Sequence, residues 1–367
     1  LVPIRVGIIG ANPDRGWAVR AHIPALRTLP QFHLMAVGTS RPDSARRAGE
    51  LFQARAFTDP RRLAEDPEVD LVVITVKAQA HAELIRTALA AGKHVYCEWP
   101  LASATAEAES LTRQAVAAGV RHVIGLQAGY APAIRRARQL LTEGYVGQVL
   151  SATVYSARGK GAGGRVPAWA AYTLDQAQGA GLLEVAGGHT LHAVQYLIGE
   201  LTEVSAQLAV RNRRMVVADT GAALEVSSPD HLLLNATAAD GIPVAAHIHD
   251  AKVTDGRTRI EIAGTEGDLA IVSGAGGPGG IQMSELRLLG SRGTGAGFEQ
   301  LPIENHSESA SFGSEPANVL HQYAALHDDI RTGAHTVPDF ADGVRIHRLL
   351  DAIRRSDETG TRISVQQ

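Results

Sequence analysis

Three short stretches hold residues able to move protons or grip charged ligands. Glu98-Trp99-Pro100 closes the run "HVYCEWPLA" (94–102), setting a carboxylate and an indole where a strand must stop. In "GAGLLEVAGGHTLHAVQYLIG" (179–199), His189 and His192 stand three apart, which puts both rings on one helical face. An unperturbed imidazole titrates at about 6.5, so His189 is the candidate general acid or base, with His192 beside it. Lys77 follows "VDLVVITV" (69–76) and offers an ammonium to a phosphate, a ribose or a reacting hydroxyl. The chain has only three other lysines, Lys93, Lys160 and Lys252, so amine chemistry has few places to occur. Two histidines could begin a zinc site, but no third ligand follows, and no metal is expected. Cys97 reads as a small core residue rather than a nucleophile.

Such groups need elements that bring strand ends together. "IRVGIIGA" (4–11), "HLMAVGTS" (33–40), "VDLVVITV" (69–76), "KHVYCE" (93–98) and "RHVIGLQ" (121–127) are apolar, β-rich runs. Helical patterns separate them, from about Gly16 to Leu29, then "SARRAGELFQ", "AQAHAELIRTALAA" and "ATAEAESLTRQAVAAG". Runs buried on both faces and alternating with helices predict a doubly wound parallel sheet over 1–127, with ligands beyond the carboxyl ends of its strands. From 128 to 367 the pattern changes. "LSATVYSA", "EVSAQLAVRN", "GAALEVSS", "HLLLNATAA", "PVAAHIHDA", "RTRIEIAG" and "GDLAIVS" follow one another with few helices, which predicts a large open antiparallel sheet. "GAGGPGG" (274–280) reads as a loop within it, and "ANVLHQYAALHDDIRTG" and "FADGVRIHRLLDAIRRS" as two closing amphipathic helices. The segment 155–175 is long, glycine-rich and carries Arg158, Lys160, Arg165, Trp169 and Tyr172. It reads either as a substrate lid or as a solvated excursion.

The first strand-to-helix turn is "GANPDRGW" (10–17), a broken dinucleotide fingerprint. Asn12 takes the second glycine position, and Gly16 can open a helix whose N-terminus receives pyrophosphate. The second strand ends on Thr39, Ser40 and Arg41, with no acid for a ribose hydroxyl, and this set suits a 2′-phosphate.

The totals exclude some classes. A formal charge of −3 gives no basic excess for nucleic acid. One cysteine admits no intrachain disulfide and fits a reducing cytoplasm. No apolar run approaches the roughly 20 residues that span a bilayer, and no signal peptide opens the sequence.

The stretch "VDLVVITVKAQAHAELIRTALAAGKHVYCEWPLA" resembles the glucose-fructose oxidoreductase/inositol dehydrogenase (Gfo/Idh/MocA) family, in which the strand closes on Glu-Lys-Pro. Glu98 and Pro100 match, and Trp99 replaces the lysine that assists proton transfer in that family. An indole has one N–H donor and no basic lone pair. "GWAVRAHIPAL", "GLQAGYAP" and "GGHTLHAVQYLIGEL" are similar to the branch containing the fungal galactose-regulon repressor. His189 matches the family histidine, His192 the later aspartate, and Glu184 the first acid after a one-residue insertion. The resemblance implies NADP, or NAD, held by Gly10, Asn12, Gly16, Trp17, Thr39, Ser40, Arg41, Val76, Lys77, His81, Glu98, Trp99 and Gln127. It implies hydride transfer with a sugar, polyol or related carbonyl compound, with His189, His192 and Lys77 as catalytic candidates, in a homodimer or higher homo-oligomer. The alternatives are a dinucleotide-binding regulator whose chemistry has lapsed, and a redox-neutral NAD-dependent enzyme.

Overall fold

The computed structural model describes residues 2–274, 280–303 and 313–365. They divide between two compact units, one of 2–127 and 313–344, the other of 128–303 and 345–365.

In the first unit, β1 (Ile4–Ile9), β2 (Phe32–Gly38), β3 (Arg55–Phe57), β4 (Leu71–Ile74), β5 (His94–Glu98) and β6 (His122–Gly125) form one parallel sheet. Its order is β3-β2-β1-β4-β5-β6, the doubly wound order that reverses direction between β1 and β4. Leu71, Val72, Val73 and Ile74 are fully buried, as a strand covered on both faces requires. The helices are α1 (Ile23–Thr28), α2 (Pro42–Phe52), α3 (Pro60–Ala64), α4 (His81–Ala90) and α5 (Thr105–Ala118).

Several features depart from the sequence expectation. The helix expected from Gly16 is a π-helical turn, Ala18–His22, leading into the short α1. β3 and α3 are new; "RAF" is too short and too exposed to show a period. In the second unit's half of the sequence, α6 (Pro132–Thr142) and α7 (Gly188–Ile198) precede α8 (Ser314–Thr332), which belongs to the first unit. There Val319, Leu320, Tyr323 and Leu326 pack into one core with Val6, Ile8, Ile23, Leu26 and Tyr96. Chain order alone had placed this helix with the second domain.

The second unit is built on nine strands in the order β17-β16-β15-β14-β7-β13-β12-β9-β18. They are β7 (Val149–Ala157), β9 (Leu201–Ala209), β12 (His231–Ala238), β13 (Pro243–His249), β14 (Arg257–Gly264), β15 (Gly267–Ser273), β16 (Leu286–Arg292), β17 (Glu299–Gln300) and β18 (Ile363–Ser364). Every pairing is antiparallel except β7 with β13, so the sheet is mixed at that one seam. Leu232, Leu234, Val244, Ala246, Ile248, Ile260 and Ile262 are buried, while the residues between them are more exposed, the alternation of a sheet covered on one face. "GAALEVSS" does not join it. Its strand β11 (Ala223–Glu225) pairs with β10 (Arg214–Val217), which in turn pairs with β8 (Arg165–Val166). The loop read over 274–280 lies, for its central five residues, outside the described ones. The last helix, α9 (Phe340–Thr359), contributes its residues from Arg345 onward to this unit.

Candidate functional site

All six strands of the first sheet run the same way, so their carboxyl ends share one edge. Gly10, Thr39, Thr75-Val76-Lys77 and Trp99 follow β1, β2, β4 and β5 there. Gly10 has φ +101°, and a Cβ on it would come within 2.7 Å of Thr75 Oγ1 and 2.9 Å of Val76 Cγ1. No other residue type fits between β1 and β4, where the sheet reverses direction and a ligand crevice belongs. Asn12 closes the turn by accepting the Asp14 N–H on Oδ1 at 2.9 Å. Gly16, at φ +107°, has no atom within 4 Å of where a Cβ would stand, so backbone conformation rather than crowding requires glycine.

The loop beyond β2 is cationic. Asp14 is held below the usual carboxylate range by its hydrogen bonds to Arg47, with Arg15 and Arg41 adding to the field. Among the described residues, Arg47 alone pairs directly with that carboxylate. Ser40 and Arg41 are exposed, but Thr39 Oγ1 is turned inward to Ser44 Oγ at 2.6 Å and the Arg41 carbonyl at 3.1 Å. Lys77 is exposed at the start of the turn into α4.

Three residues expected to face a ligand face the protein instead. His81 is 1% exposed, and its ring nitrogens lie 2.8 Å from the Pro100 carbonyl and 3.0 Å from that of Val76. Burial lowers its pKa, and a neutral ring has a single N–H, so His81 sits between the β4 and β5 turns and donates to one of the two carbonyls at a time. Glu98 Oε1 is 2.8 Å from His22 Nε2 and accepts the Gln127 amide N–H at 2.8 Å. His22 Nδ1 lies 2.7 Å from the Tyr323 hydroxyl, and Tyr96 donates to Gln322 Oε1 at 2.6 Å. This buried network ties β5 and the π turn to α8, and sequence reasoning missed it. Trp99, joined to Pro100 by a cis peptide, is also largely buried. Trp17 Nε1 is buried without a hydrogen-bond partner.

In the second unit, a π-helical turn (Leu183–Gly187) runs directly into α7. A wider turn of this kind is what the one-residue insertion implied by the family resemblance would need. Glu184 is committed elsewhere, with Oε1 on Arg354 Nη2 at 2.5 Å and Oε2 accepting the Gly181 N–H at 2.8 Å. His189 and His192 are close enough to repel, and Nδ1 of each is buried without a partner. Burial, then His192 and Arg158, pushes His189 down to about 3. Burial, then Arg345, brings His192 to about 4. The expectation of a ring titrating near neutrality is thereby corrected, since desolvation disfavours the imidazolium and both rings are neutral at pH 7.

The segment 155–175 is neither wholly a lid nor wholly solvated. Arg158 is buried in a two-pronged pair with Asp250, at 2.6 Å and 2.8 Å. Lys160 donates to Thr173 Oγ1 at 2.8 Å, while Trp169 is 62% exposed. Among the described residues no histidine, cysteine and carboxylate group is arranged to hold a metal ion. Nor is any described helix long and apolar enough to cross a membrane.

Residues 4–126 match the model of the oxidoreductase family with NAD-binding Rossmann fold, and residues 132–273 match that of the Gal80p C-terminal domain. The galactose/lactose metabolism regulatory protein GAL80 of Saccharomyces cerevisiae is 26% identical, covering 99% of this chain and 94% of its own. Dehydrogenase aclE of Aspergillus oryzae is 28% identical over 97% of each chain. Levoglucosan dehydrogenase of Pseudarthrobacter phenanthrenivorans is 27% identical over 56% of this chain and 54% of its own. A solved levoglucosan dehydrogenase in complex with NADH and L-sorbose shares the fold, with a TM-score of 0.85 at 22% identity and 99% of each chain covered.

Proposed function

Because the chain belongs to the Gfo/Idh/MocA oxidoreductase family and carries a Gal80p-like C-terminal domain, we propose that it is an NAD(P)-dependent oxidoreductase acting on a sugar, polyol or related carbonyl compound. The observation that carries this reading is the crevice between β1 and β4, kept open by a glycine that admits no Cβ. Gly10, Asn12 and Gly16 would lie along the pyrophosphate, and Ser40 and Arg41 beside the adenosine ribose. Val76, Lys77 and Trp99 would border the nicotinamide half. NAD(P), when bound, supplies the hydride acceptor or donor. Glu98, Gln127 and His81 act one layer deeper, by fixing the turns that carry Val76 and Trp99.

His189 is proposed as the group on the substrate oxygen. A neutral imidazole N–H can hold and polarise a carbonyl without giving up its proton, so a low pKa suits an electrophile better than a proton reservoir. The likeness to a full-length dehydrogenase and to a sugar dehydrogenase supports this class of substrate. The test is direct: purified protein with NADH or NADPH and a panel of ketoses, keto-sugars and imines, followed by nicotinamide absorbance. No turnover with any of them, despite tight cofactor binding, favours the second reading. That reading is a dinucleotide-binding regulator, and two observations favour it: Trp99 in the lysine's place and Glu184 consumed by Arg354. A cytoplasmic homo-oligomer is proposed on family grounds alone.

The cationic loop carries a cofactor preference. NADP(H) is expected to bind more tightly than NAD(H), because the exposed Ser40 and Arg41 stand just beyond β2 where a ribose-binding acid would otherwise stand. Arg41→Ala should weaken NADP(H) about tenfold to a hundredfold and leave NAD(H) nearly unchanged, as loss of one guanidinium–phosphate contact requires. Equal affinities in the parent protein, by titration calorimetry, remove this expectation.

Trp99 offers an optical check. With Trp169 exposed and Trp17 in the β1 turn, cofactor binding should quench a buried emitter that Trp99→Phe abolishes. An unchanged quench in Trp99→Phe places the indole away from the nicotinamide ring. Turnover gained in Trp99→Lys on a simple polyol shows that the remaining groups still support hydride transfer.

A further inference from the structure

The second unit holds a cavity of about 30 Å³ that no step above uses. Its polar lining is Lys160, Thr173, Asn212, Ser228, Asp230 and Asp250. Every carboxylate oxygen there is already occupied. Asp250 takes both prongs of Arg158, at 2.6 Å and 2.8 Å. Asp230 Oδ1 accepts the Arg211 N–H at 2.8 Å and lies 2.8 Å from His231 Nδ1, and its Oδ2 accepts the Asn212 N–H at 2.8 Å.

The donors are in surplus. Lys160 uses one of its three N–H groups, on Thr173, and among the described residues no carboxylate pairs with it. The Ser228 hydroxyl is buried, in a residue 3% exposed, and has no hydrogen-bond partner. A buried hydroxyl left unpaired is destabilising, and the partly buried Lys160 ammonium feels the Asp250 charge without a direct ion pair. A cavity of this size admits a water or the head of a small anion, not a sugar ring. A water would serve the hydroxyl, whereas an anion would also give the ammonium the direct ion pair that Asp250, held by Arg158, does not make.

We propose that this cavity binds the carboxylate group of a small ligand, with the Lys160 ammonium as counter-ion and the Ser228 hydroxyl as second donor. The apolar walls, Leu174, Leu182 and Met215, suit a short carbon stub behind the carboxylate. Burial, then the Arg158 charge, lowers Lys160 to about 8, with Asp250 opposing. Ligand affinity therefore depends on pH within an accessible range. The other charged groups facing the cavity are Asp230 and Asp250, backed by His231 and Arg158.

Acetate and formate are the probes, titrated by calorimetry and thermal unfolding against chloride at equal ionic strength. At pH 7 both carboxylates should bind saturably and raise the unfolding temperature beyond chloride. Raising the pH from 7 to 9 should weaken acetate about tenfold, since the protonated fraction of a group titrating at about 8 falls by that factor. Lys160→Met should lose binding more than tenfold, and Ser228→Ala several-fold, with far-UV circular dichroism confirming the fold of each. The pH test needs only the parent protein and stands even where a variant fails to fold. Chloride matching acetate, affinity unchanged in folded Lys160→Met, or no loss between pH 7 and 9 would each overturn the site.

Discussion

Taking the protein from pH 7 to pH 5 is expected to cost the second unit about 4–6 kcal/mol of stability, through three histidines that fold in the neutral form. His189 is lowered to about 3, and His192 and His347 each to about 4. Burial is the first cause in all three; Asp351 opposes it at His347, and Arg354 adds to it. In the unfolded chain each ring titrates at about 6.5, so below that pH the unfolded state binds protons that the native state refuses. Stability then falls by about 1.4 kcal/mol per pH unit for each ring, from pH 6.5 down to the folded pKa values, and is flat above. His189 and His192 repel, so their protons enter in two separate steps that belong to the pair, while His347 has its own causes. Hydrogen exchange in β7, β12 and β13 at pH 7 and pH 5 reads this unit alone. His347→Leu should reduce the slope by about a third. Equal protection at both pH values would show that the rings are not kept neutral by folding.

Those pKa values mark where the sequence stopped being readable. Histidine at 189 and 192 was plain, and so was their shared helical face, but an amphipathic pattern does not say how much of a ring is desolvated. The parallel strands were legible because burial on both faces leaves uninterrupted apolar runs, as at Leu71–Ile74. β3 was not, with three residues and two of them exposed. Local pattern also fails where partners are distant. His22 meets Tyr323 across 301 residues, so nothing near either residue announces the contact. The same separation hid the return of α8 to the first unit. At the strand ends, the sequence placed Glu98 and Gln127 correctly along the chain but not in direction. A residue that closes a strand can face the crevice or the layer beneath, and the 2.8 Å contact between these two side chains selects the layer beneath. The one-residue insertion before His189 was visible as a mismatch in spacing. Only the backbone shows the π turn that such an insertion would need.

The largest kinetic effect is expected at His189. If the neutral ring holds the substrate oxygen, His189→Ala should lower kcat by about 10²–10⁴, the range for loss of one positioned acid–base or electrophilic group. Cofactor affinity should barely change, because the Rossmann crevice is built wholly from the first unit. His189→Gln keeps an N–H donor and should recover part of the loss, whereas a purely structural role would give no such rescue. The pH profile separates the two chemical roles. A general base of ordinary pKa would give kcat/KM a limb at about 6.5, whereas a ring lowered to about 3 leaves the rate flat from pH 8 toward acid until unfolding intervenes. His192→Ala removes the neighbour that helps depress His189, so its folded pKa should rise and its kcat should fall less than that of His189→Ala. A limb near 6.5 that disappears in His189→Ala would restore the proton-reservoir role. Near-parental turnover in His189→Ala would remove the residue from the chemistry and leave Lys77 and Tyr172 as the groups to test.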